Sequence, residues 1–225
     1  MARDLVLSSG FLAFARHVGV LQAIEQADVE VTGICGTSSG ALVGSLWASG
    51  MPASQIAEQL SAQIPLSMMS PHLKIWRGLF TMNRVLEQLR VWLPPRIEDL
   101  PIPFGAGVMG LDGEPIVLRS GSLPEAVAAS CAIPYVFAPV EVDGVRYRDG
   151  GVVDRTGLTG WRAARGQRPT VLHLVDRTGG AVTDLDLIPA DVVCVRTPRS
   201  GAQFWDLGDF SAQVAEAREC AQKLL

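Results

Sequence analysis

Positive charge is in short supply. Against 23 Asp and Glu the chain carries 19 Lys and Arg, for a formal net charge of −4. No Lys/Arg run stands out, so the basic face that phosphate neutralisation requires is missing and nucleic acid is excluded as a principal partner. Cysteine is sparse as well. Cys35, Cys131, Cys194 and Cys220 stand singly, without the CxxC pairs of a zinc site or the density of a disulfide scaffold, which predicts reduced thiols and a cytoplasmic location. No His/Cys/Asp cluster has ligand spacing, so neither a metal nor another cofactor is expected. No run approaches the ~20 uninterrupted apolar residues of a membrane span, and membrane contact is expected to be peripheral at most. The apolar opening MARDLVLSSGFLAFARHVGVL is interrupted by Arg3, Asp4, Arg16 and His17 and reads as mature structure rather than a signal peptide.

What the chain does have is apolar residue, 48% against 19% charged over 225 residues, which is enough for a generous core and predicts one domain, residues 1–225. The pattern alternates. DLVLS is a short β-favouring run, FLAFARHVGVLQAIEQA is helical with Phe14, Val18, Leu21 and Ile24 on one face, VEVTGIC is a second strand and SGALVGSLWASG a second helix. Such alternation predicts an α/β fold with parallel strands and crossover helices. Residues 52–100 read as a helical insertion, with PASQIAEQLSAQ and NRVLEQLRVWL around a less regular middle. Asp112-Gly113 and Asp143-Gly144 each lie between β-rich runs and predict hairpins. SLPEAVAAS between them reads as a helix, TVLHLVD and DVVCVRT as strands, and DFSAQVAEARECAQKLL as a closing amphipathic helix.

One stretch carries chemistry. GICGTSSGALVG sets Ser38 between Gly36 and Gly40, after a strand and before a helix. A chain that turns so sharply exposes the serine hydroxyl at the carboxyl end of the strand, with glycines relieving the crowding. Helix N-terminal amides point at the same spot and suit a developing anion. The plainer alternative is that Ser38 and Ser39 only cap the helix. A nucleophilic serine also needs a base within hydrogen-bond reach. There are three histidines: His17 in the first helix, His72 in the insertion and His173 inside an apolar strand, where it reads as structural. None is an obvious base. Asp149 is better placed, because the hairpin VEVDGVRYR delivers it off a strand and Gly150-Gly151 lets another backbone or a substrate approach closely. Its plainer use is as a turn aspartate bonding its own backbone.

Together these segments resemble the patatin-like phospholipase family. GTSSG resembles the family's nucleophile motif, ASCAIPYVFAPVEVDGVRYRDGGVVD its second block, and LVLSSGFLAFARHVGVLQAIE takes the place of its first. The resemblance implies a three-layer α/β fold with a mostly parallel central sheet flanked by helices. It also implies lipid-ester hydrolysis by a Ser38–Asp149 dyad, an oxyanion site of backbone amides at Gly10, Phe11 and Ser39, and no cofactor. The first block departs from the pattern: family members usually carry a glycine triplet and a basic residue there, where this chain has Ser9, Gly10, Phe11 and Ala13, with Phe14 at a later glycine. The family's Asn-Thr-Pro after Asp-Gly-Gly is altered too, to RTGL at 155–158. Two other readings stay open: a catalytically silent patatin-like module that binds lipid or a partner, and an α/β-hydrolase with a Ser38, Asp149 and His173 triad. A lipid hydrolase needs an apolar groove as well. Met68, Met69 and Trp76, with Leu73, Ile75, Leu79 and Phe80, are the candidates for its walls, Lys74 and Arg77 for its rim, and core packing is the alternative for the whole segment.

Overall fold

The computed structural model describes residues 2–72, 78–176 and 188–225. The first half of the chain runs β1 (Arg3–Leu7), α1 (Phe14–Gln26), β2 (Val31–Thr37), α2 (Ser39–Ala48) and α3 (Ala53–Ser61). A small antiparallel pair, β3 (Ser70–Pro71) with β4 (Phe80–Thr81), precedes α4 (Asn83–Trp92). The second half contains β5 (Phe104–Gly110), β6 (Pro115–Leu118), α5 (Leu123–Ser130), β7 (Val140–Val142), β8 (Val145–Asp149) and α6 (Leu158–Arg165), then β9 (Thr170–Val175), β10 (Val192–Thr197) and α7 (Phe210–Gln222).

The main sheet is mixed and mostly parallel, ordered β10-β9-β1-β2-β5-β8-β7 with β6 also on β5. From β10 to β5 every pairing is parallel; β6, β7 and β8 join antiparallel as the two hairpins that the Asp-Gly turns predict. Strands covered on both faces need apolar residues at odd and even positions alike. In β1, Leu5 and Leu7 accordingly join the large core with α1, α2, α5 and α7, while Val6 joins a smaller cluster with Leu158 and Trp161 of α6. Helices thus cover both faces. Asp4, which interrupts the apolar opening, is buried in β1 and ion-paired with Arg165, with Nε–Oδ2 at 3.0 Å.

One reading needs correction. The first helix begins at Phe14, not Phe11, because Phe11 and Leu12 form a turn in which Leu12 takes a left-handed φ of 47°. The less regular middle of the insertion holds a 3₁₀ turn, Pro65–Met68, and the β3–β4 pair. Leu73, Lys74, Ile75, Trp76 and Arg77 lie outside the described residues. No described helix is long and apolar enough to cross a membrane.

Candidate active site

The sheet register brings Ser38 and Asp149 together. β2 pairs with β5 as far as Thr37 opposite Gly107, and β8 pairs with β5 from Asp149 opposite Val108. Both Gly107 and Val108 pair with β6 as well. A strand has only two edges, so β2 and β8 share one edge of β5 and meet end to end on it. Their carboxyl ends therefore deliver adjacent residues. The close packing there is glycine-dependent: a Cβ on Gly107 would lie 2.3 Å from Thr37 Oγ1, and one on Gly150 would lie 2.7 Å from the Gly107 carbonyl carbon.

At this junction the Ser38 hydroxyl donates to Asp149 Oδ2 at 2.7 Å. Asp149 is 4% exposed, and its other oxygen, Oδ1, accepts the Gly151 N–H at 2.8 Å. The turn bond and the contact to serine are thus made by one carboxylate at once. Ser38 stands at φ 55° and ψ −120°, a conformation a residue with a Cβ holds only when its surroundings force it. Those surroundings are visible. Gly36 and Gly40 let the chain fold back, since a Cβ on Gly36 would lie 2.3 Å from the Gly40 oxygen and one on Gly40 2.2 Å from the Leu7 oxygen. The Ser38 N–H donates to Ser130 Oγ at 2.8 Å, and Ser130 donates to the Gly107 carbonyl at 2.6 Å. The Cys131 thiol donates to the Ser38 carbonyl at 3.3 Å. Burial, and then the charge of Asp149, pushes that thiol up, which keeps it a donor. Ser130 and Cys131 end α5, and no pattern in the sequence singles them out.

The capping alternative is not realised, because neither serine side chain caps α2. Ser39 Oγ instead lies 3.2 Å from His17 Nε2 in a buried chain of polar groups. His17 Nδ1 is 2.8 Å from His173 Nδ1, and His173 Nε2 is 2.9 Å from Thr197 Oγ1. One imidazole must accept from the other, so at most one of the two can carry a proton on both nitrogens. Burial, partly offset by a backbone hydrogen bond at Ser8, takes His17 down to about 3; burial, then the charges of His17 and Arg16, holds His173 well below its usual range. Both nitrogens of His173 are occupied in the core, and the triad arrangement is not formed.

Gly10 and Phe11 line a cavity of about 480 Å³ and mixed polarity together with Ser38 and Asp149. Among the described residues no partner takes up the amides of Gly10, Phe11 or Ser39. The Phe11 side chain turns away onto Phe204, edge to face at 5.0 Å. A second cavity, of about 140 Å³ and almost wholly apolar, also reaches Ser38. Met68 and Met69 are among its walls; Leu42, Leu60, Leu89, Trp92, Phe204 and Leu207 complete much of the rest. Two expected walls are not part of it: Leu79 is exposed, and Phe80 bridges to the backbone at Phe137. No cluster of ligating side chains suited to a metal occurs among the described residues.

A sequence profile described as patatin-like phospholipase matches residues 5–160. An uncharacterized NTE family protein of Mycobacterium tuberculosis is 36% identical over 154 residues, which are 67% of this chain and 42% of that protein. Human patatin-like phospholipase domain-containing protein 6 is 30% identical over 161 residues, covering 67% of this chain and 12% of its own length. The match thus spans less than half the length of these relatives. Among solved structures, VipD from Legionella pneumophila is similar with a TM-score of 0.59 at 13% identity, over 99% of this chain and 65% of that one. The type III effector ExoU is similar with a TM-score of 0.55 at 15% identity, over 99% and 52%. At these identities what is shared is the fold, a mostly parallel central sheet flanked by helices.

Proposed function

The chain belongs to the patatin-like phospholipase family, and from that premise we propose that it is a serine acyl hydrolase cleaving carboxylic esters of lipids through a Ser38–Asp149 dyad and an acyl-enzyme. The observation that carries this reading is the 2.7 Å bond from the Ser38 hydroxyl to Asp149 Oδ2, formed at a turn where Ser38 takes a positive φ of 55°. In the first step Ser38 Oγ bonds to the ester carbonyl carbon while its proton passes to Asp149, and the carbonyl electrons move onto oxygen. The amides of Gly10, Phe11 and Ser39 are the donors for that oxyanion. Collapse expels the alcohol, which takes the proton back from Asp149. Water then attacks the acyl-enzyme with Asp149 as base, releasing the fatty acid and restoring Ser38.

The two cavities divide the substrate. The apolar one suits an acyl chain, each buried CH₂ of which is worth about 0.8 kcal/mol, and the larger, more mixed one suits the alcohol portion and entering water. Peripheral contact with a lipid surface goes with this reading. The silent-module alternative rests on Phe11 and Ala13 in the loop at 9–14, where the Phe11 side chain packs on Phe204 and the residue also lines the larger cavity. Hydrolysis of a soluble p-nitrophenyl ester tests the proposal: Ser38→Ala is expected to lose at least ~1000-fold in kcat with an unchanged melting curve. Undiminished turnover in that variant would refute it.

A further inference from the structure

Arg155 is only 8% exposed, and a guanidinium, charged at every physiological pH, is buried only where partners hold it. Its Nη2 donates to two carbonyls, Ser9 O at 3.2 Å and Val175 O at 2.5 Å, while its own carbonyl accepts the Ser9 N–H at 2.7 Å. The neighbouring residue is tied down as well: the Ser8 N–H donates to the His173 carbonyl at 3.0 Å, and Ser8 Oγ accepts the Val175 N–H at 3.0 Å. The stitching stops at Ser9. From Gly10 onward come the amides without a partner among the described residues, lining the cavity with Ser38 and Asp149.

The Ser9 carbonyl and the Gly10 N–H belong to one planar trans peptide and point in opposite directions. Whatever grips the carbonyl aims the N–H. We propose that Arg155 is a positioning residue for the oxyanion site: by holding Ser9 O on the side away from the cavity it turns the Gly10 N–H towards Ser38 and prevents the flip that would put a carbonyl there. This rests on the acyl-hydrolase reading above and adds a residue to it. Charge-assisted bonds to two carbonyls from Nη2 of one planar guanidinium suit the task better than a neutral side chain. Gly10 sits in a tight place, where an added Cβ would lie 2.8 Å from Ala13 Cβ, so no larger residue fits there unchanged. The two places where the chain departs from its family's pattern, the loop at 9–14 and the segment RTGL, are therefore in direct contact through Ser9 and Arg155.

Steady-state hydrolysis of a soluble short-chain p-nitrophenyl ester by the full chain tests this in Arg155→Met, which keeps the length without donors, and in Arg155→Lys, which keeps the charge but not the fork. An oxyanion donor is used in the transition state rather than in substrate binding. The expected result is a kcat lowered about 10- to 100-fold in Arg155→Met, a smaller loss in Arg155→Lys and a KM within about twofold of wild type. Should Arg155→Met fail to fold, Arg155→Lys must still show the kcat loss at constant KM. Wild-type kcat in a folded variant, or a loss confined to KM, overturns the proposal while Ser38→Ala stays inactive and the acyl-hydrolase reading stands. If Ser38→Ala turns over as fast as wild type, the reading itself fails and the proposal falls with it.

Discussion

Ser38 holds an uncommon backbone conformation because both ends of its peptide are gripped from α5, the N–H by Ser130 and the carbonyl by Cys131. Removing the Ser130 hydroxyl leaves the Ser38 N–H and the Gly107 carbonyl without that partner in a buried site, at a cost of about 1–3 kcal/mol. Ser130→Ala is therefore expected to lower the melting temperature and, by letting the turn relax, to cut kcat about tenfold; an unchanged kcat in the folded variant counts against the bracing role. Asp149→Asn should lose kcat by orders of magnitude, since an amide cannot take the serine proton. His173→Gln, by contrast, should retain most of the activity per folded molecule, which a specific-activity measurement normalised to folded fraction will decide. Ser38 and Asp149 were legible in the sequence because each sits among glycines that only a tight approach requires. Ser130, Cys131 and Arg155 were not, because their partners are more than 90 positions away or are backbone atoms, and a hydroxyl, thiol or guanidinium bonded to a main chain leaves no composition signal.

β2 and β8 run towards each other along one edge of β5, and this is how a mostly parallel sheet places two strand ends side by side. The strands and hairpins were readable from alternation and from Asp-Gly, but the pairing that joins them end to end was not, since register depends on contacts that no single segment contains. The late start of α1 has a related reason: Phe11 and Leu12 fit a helical stripe, yet the turn they form is held by Ser200, whose hydroxyl donates to the Leu12 carbonyl, and by Phe204 against Phe11. The same layer of elements sets the acid stability. His17 on α1 and His173 on β9 form a neutral pair inside the core. Their folded pKa values lie below the unfolded value of ~6.5, so below that pH the unfolded chain binds protons that the folded one refuses. Stability is thus fully present above pH ~6.5 and declines as pH falls below it, both histidines acting in the same direction and His17 down to about pH 3. Urea unfolding at several pH values checks this. A stability flat from pH 7 to 4 contradicts it, and His173→Gln should reduce the slope.

Across the whole molecule, the site lies where an apolar cavity and a larger one of mixed polarity meet at Ser38. Leu42 lines the apolar cavity from α2 and is only partly buried, so Leu42→Trp should fill the space without disturbing the core. Hydrolysis of long-chain esters is expected to fall at least tenfold while short-chain esters are spared and the melting temperature holds within a few degrees. Equal loss on both would mean that acyl chains lie elsewhere. The central claim is that Ser38 is the nucleophile and Asp149 its base, and covalent labelling addresses it most directly. The full chain is incubated with a fluorophosphonate, and the adduct is located by peptide mass spectrometry. The account predicts a single adduct on Ser38, absent from Ser38→Ala and formed far more slowly in Asp149→Asn. An adduct that persists in Ser38→Ala, or a folded wild-type protein that takes up no label, would contradict it.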